Sequence, residues 1–95
     1  MEKIYSHERI EKLRELQHQL EKHVKDNKLK SVMVWTIADL IQLLRIAIDT
    51  NDLEEATEMA TAIEYLMGPI LGAEDCSDLG GLMLELHREI ADFLP

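Results

Sequence analysis

The sequence predicts an all-α fold: a compact four-helix bundle, mostly antiparallel, with helices near 7–26, 31–49, 53–67 and 79–94. Three observations lead there. Apolar residues recur at spacings of three and four in four separate segments, the mark of amphipathic helices. Strong helix formers dominate, aromatics make up only 4% of the 95 residues, and the prolines are confined to Pro69 and Pro95. No two strand-like runs exist that could pair into a sheet. A chain of this length makes one domain, 1–95, near the lower size limit for folding without disulfides or metal.

Helix 1 is expected over His7–Asp26, with Ser6 as its N-cap and Asn27 as its stop. Ile10, Leu13, Leu16, Leu20 and Val24 form its apolar stripe. Glu8 with Lys12 and Glu21 with Lys25 stand in the favourable i,i+4 order on its polar side. Residues 29–35, LKSVMVW, would suit a strand by composition, but a lone strand has no partner. The segment is therefore read as the entry to helix 2, with Ser31 as cap and Thr36 followed by Asp39 as a second possible one. Helix 2 carries Ile37, Leu40, Ile41, Leu44, Ala47 and Ile48, and Leu43 and Ile46 widen its apolar side. A helix apolar over most of its circumference is central, or lends a flank to an oligomer.

Asp49–Asp52 forms a tight link, in which Asp52 caps helix 3 and Glu55 takes the third helical position. So short a link makes helices 2 and 3 an antiparallel hairpin. Ala56, Met59, Ala60, Ile63, Leu66 and Met67 form the inner stripe of helix 3, and Gly68–Pro69 is expected to end it. Residues 68–78 then read as a loop. Ser77 or Asp78 caps helix 4, whose stripe is Leu79, Leu82, Met83, Leu86, Ile90 and Phe93. Gly80 and Gly81 weaken its first turns, and they signal either a close backbone approach or a later start near Leu82.

Charge is unevenly divided. Residues 1–48 hold nine basic and seven acidic side chains, whereas residues 49–95 hold Arg88 against twelve acids, for a net charge of −9. A phosphate backbone needs a basic footprint, so direct nucleic-acid binding by the second half is excluded. No run approaches the roughly 20 apolar residues of a membrane span. The first residues lack an apolar signal segment, and Cys76 has no second cysteine with which to pair. The expected setting is a reducing cytoplasm, without membrane attachment.

Chemical motifs are sparse. Glu15-x-x-His18 supplies one half of the ligand pair that di-iron bundles use twice, so no metal is expected. Cys76 stands among Glu74, Asp75 and Asp78, the wrong charge for a reactive thiolate. Those acids also lack the alternation of a calcium loop. His87, between Glu85 and Arg88, has no nucleophile to serve. Neither a catalytic residue nor a cofactor is called for, and the chain reads as a non-enzyme.

The acidic surface is the main asymmetric signal. An uncompensated negative field attracts a basic surface and speeds the encounter with it. The function expected is that of a small binding protein, an adaptor, inhibitor or immunity-type protein of the size and charge that mobile elements carry, docking on a basic patch of another protein. Glu58, Glu64, Glu85 and Glu89 are its candidate contacts. Trp35 is a candidate apolar contact, although a core anchor is the commoner role for a lone tryptophan. The alternative is a self-associating assembly subunit, a homodimer through helix 1 or the flank of helix 2.

Overall fold

The computed structural model describes residues 7–26, 31–73 and 77–94. They form α1 (His7–Asp26), α2 (Ser31–Asp49), α3 (Leu53–Ala73) and α4 (Ser77–Ile90), followed by a 3-10 turn, Ala91–Phe93. Each helix buries, fully or in part, the described residues of the stripe that its periodicity marks; the side chain of Leu79 lies outside the described residues. Leu13, Leu16, Leu20 and Val24 meet Val34, Ile37, Ile41, Leu44 and Ile48, and then Ala56, Ala60, Ile63 and Met67. Met83, Leu86, Ile90 and Phe93 close the core from α4. Ile10, Met33, Leu40, Met59, Leu66 and Leu82 pack half-buried at its margin.

Neighbours follow chain order around the bundle. α2 lies between α1 and α3, and α4 closes the ring against the same two helices, diagonal to α2. Contacts between side chains set the directions. Gln17 meets Gln42 and Arg45, while Ile10 lines a cleft with Ile46 and Asp49, so α1 and α2 run antiparallel. Arg9 reaches Glu89 and Asp92, while Lys22 and His23 lie beside Leu82, so α1 and α4 are antiparallel too. The Cα radius of gyration, 12.6 Å, is close to the roughly 12 Å of a compact chain this long.

The α2–α3 link is a complete cap. Asn51 adopts φ 60°, the left-handed region. Its N–H donates to the Ile48 carbonyl at 3.1 Å and that of Asp52 to Ala47 at 2.8 Å, the paired bonds of a Schellman ending. Asp52 then opens α3, its Oδ1 accepting the Glu55 N–H at 3.1 Å. One residue thus finishes one helix and starts the next, which leaves no slack in the hairpin.

Three expectations are corrected. Gly68–Pro69 does not end α3, which runs on to Ala73 with Pro69 inside it, and Gly68 is not left-handed. Proline removes the bond to the Tyr65 carbonyl, and Tyr65 stands on the exposed side of α3. α4 begins at Ser77, ahead of both glycines, and an added Cβ at Gly80 or Gly81 would meet nothing within 4 Å. Neither glycine serves a close approach. Thr36 is no cap: it lies inside α2, and its hydroxyl donates to the Val32 carbonyl at 2.8 Å. Leu43 and Ile46, which widen the apolar side of α2, stand exposed. Ser6, Asn27, Glu74, Asp75 and Cys76 lie outside the described residues, as do the side chains of Ser31, Ser77 and Asp78.

Candidate interaction surface

The carboxylates of α3 and α4 fall into two groups. At the edge shared with α1, Arg9 is built into the end of α4. Its Nη1 donates to the Glu89 carbonyl at 2.6 Å and its Nη2 to Asp92 Oδ2 at 2.7 Å. The guanidinium also lies 5.6 Å from the Phe93 ring centroid, within cation–π range. Glu89 is half-buried and shares a shallow cleft with Glu8, Arg9 and Lys12. Basic side chains of α1 thus offset the acids at this edge. Between α3 and α4, Glu64 Oε2 stands 3.8 Å from His87 Nδ1.

The second group is different. Glu54, Glu55 and Glu58 are exposed on α3, and Glu85 is exposed on α4; none makes an ion pair with a described residue. α3 contains no basic side chain at all. Of the candidate contacts, Glu58 and Glu85 face solvent, Glu64 is tied to His87, and Glu89 sits among cations of α1. The four do not form one cation-free patch.

Trp35 is not a core anchor: it is 41% exposed on α2. It belongs to an apolar stripe with Val32 (77% exposed), Leu43 (46%) and Ile46 (52%). With Asp39 at their midpoint, the spacings of these residues are three, four, four and three, one side of a helix. Since α2 is diagonal to α4, Trp35 shares no surface with Glu85 or Glu89. Glu64 leans towards α4, so the opposite border of α3, Glu55–Met59–Ala62–Leu66, runs along α2.

The one cation of the α2–α3 hairpin is Arg45, and it is engaged with α1. Gln17, only 6% exposed, accepts from Arg45 Nη1 at 2.7 Å and donates from Nε2 to Gln42 Oε1 and Glu21 Oε2, both at 3.1 Å. Sequence reasoning missed this part-buried network. Its signal in the sequence is the pair Gln42 and Arg45, three residues apart on one side of an otherwise apolar helix.

Glu15 and His18 lie on the open surface of α1, beside Glu11 and Arg14. Among the described residues no three His, Cys, Asp or Glu side chains stand together as a metal site. No described helix is long and apolar enough to cross a membrane. No protein-family model matches this chain, and neither does a curated protein or a solved structure.

Proposed function

We propose that this chain is a small non-catalytic binding protein, an adaptor, inhibitor or immunity-type protein that docks its acidic side on a basic surface of another protein. One observation carries the reading: Glu54, Glu55 and Glu58 stand exposed on a helix with no basic residue, unpaired with any described side chain. Like charges four residues apart cost a helix a few tenths of a kcal/mol. That cost is recovered when a cationic surface approaches, and the field draws such a surface in from a distance of about one Debye length.

The test is affinity capture from the native cell at low and high salt, with the wild-type chain beside a Glu54→Lys, Glu58→Lys variant. The expected result is a defined protein retained at low salt, released at high salt and missed by the variant. Retention by both chains alike would count against an electrostatic role for α3. A second reading, a self-associating assembly subunit, is favoured by the uncovered apolar stripe of α2. Sedimentation over a wide concentration range separates the two, because that reading requires a dimer of the isolated protein.

A further inference from the structure

The outer face of α2 combines features that solubility alone does not call for. Val32, Trp35, Leu43 and Ile46 form two apolar pairs, one at each end of a stripe. From Val32 to Ile46 the stripe is about 21 Å long at helical rise. Asp39 sits midway, exposed and without an ion pair to any described residue. Beyond Ile46 the stripe meets a shallow cleft of about 300 Å³ lined by Ile10, Gln42, Arg45, Ile46 and Asp49. Asp49, at the end of α2, lines the same cleft. Arg45, also in the cleft lining, donates to the neutral Gln17 on the α1 side, and no ion pair joins it to Asp39 or Asp49.

Charge decides what can cover this face. A two-fold pairing of two copies about the middle of the stripe would set Asp39 against its own counterpart, burying two like charges between apolar side chains. A covering segment with a cation at that position meets no such cost. We infer that the α2 face is a docking site for a cationic amphipathic helix of another protein, with apolar side chains on Val32–Trp35 and Leu43–Ile46 and a lysine or arginine at Asp39 between them. The inference rests on the binding-protein reading and names the partner's chemistry. Within each pair the apolar side chains are three residues apart, and Trp35 and Leu43 are eight apart, so a helix laid along α2 meets one apolar pair at each end. The cleft beside Ile46 takes one anchor, and Asp49 faces a cation at its rim.

Trp35 is the sole tryptophan and reports on this face directly. The experiment titrates the full chain with a synthetic helix of about 18 residues, leucine on one face and lysine on the other, while following Trp35 emission. A peptide with glutamate in place of lysine is the control. The expected result is a saturable one-to-one blue shift with the cationic peptide only. Asp39→Lys should weaken it about tenfold or more, as should the pair Leu43→Ser, Ile46→Ser. Glu15→Lys, the same charge change on the open surface of α1, should alter it less than about threefold. All these positions are exposed, so the variants keep the core.

Binding indifferent to Asp39, Leu43 and Ile46 overturns the inference, and so does equal binding of the glutamate peptide. A dimer of the free protein that Leu43→Arg dissociates overturns it too, because a second copy then covers the stripe. Salt-sensitive capture that depends on Glu54 and Glu58, found beside peptide binding that ignores α2, removes this site and leaves the broader reading standing.

Discussion

Asn51 occupies the most constrained backbone position described, with φ 60° and the two crossing bonds that end α2. A β-branched side chain is strained there, whereas glycine is not. Asn51→Val should therefore cost about 1–2 kcal/mol, and Asn51→Gly should stay within about 0.5 kcal/mol of wild type, by denaturant unfolding. Equal losses for both would show that the asparagine side chain, and not the backbone, matters. Arg9 is the second such residue. It is largely buried, at 16% side-chain exposure, and binds one neutral and one charged acceptor at the end of α4. Arg9→Met should cost about 1–3 kcal/mol, whereas Asp92→Asn should cost under about 1, because Asp92 is more than half exposed. A larger loss for Asp92→Asn would reverse the ranking of the two contacts. Such contacts are hard to read from a sequence, because Arg9 and Asp92 are 83 positions apart and only the closed ring brings them together.

Element boundaries were legible where local chemistry alone decides them. Asp52 caps α3 as its residue type suggests, since an N-cap needs only its own side chain and the next turn. Local signals were overruled at Gly68–Pro69 and Gly80–Gly81. Nearby residues continue the helix in both places, and the penalties, a missing bond on the exposed side of α3 and some backbone entropy, fall short of stopping it. The open space around Gly80 and Gly81 yields a direct expectation. Gly80→Ala and Gly81→Ala should each raise stability by about 0.5–1 kcal/mol. A loss from either, in thermal or denaturant melts, would mean that α4 does not begin where the structure places it. α2 shows the limits of periodicity. Its broad apolar side announces a central helix, yet Gln42 and Arg45 are claimed by Gln17 while Leu43 and Ile46 are left uncovered. Which flank a neighbour covers is a matter of how four helices close into a ring, and no single helix contains that information.

At the scale of the whole molecule, the net charge of −9 acts against the compact state through self-repulsion. The ion pairs Arg9–Asp92 and Arg14–Glu11 act the other way, but both are partly exposed. Screening should therefore stabilise the protein. The melting temperature should rise by about 2–5 °C between low salt and near-physiological ionic strength, followed by circular dichroism. A fall over that range would mean that short-range pairs outweigh the general repulsion. The same field bears on partners, for it disfavours a second copy on the acidic hairpin and favours a cationic segment there.

Composition and spacing by themselves determined the helical class, the four segments, the core stripes and the excess of carboxylates, because each follows from side chains within a turn or two of one another. Tertiary structure alone decided which charges meet. Arg9 came to Asp92, and Arg45 to Gln17, while Asp39, Glu54 and Glu58 received no partner among the described residues. It also decided that Trp35 faces outwards. The physical reason is that a helix repeats its own pattern locally, whereas the side covered by a neighbour depends on the packing of all four.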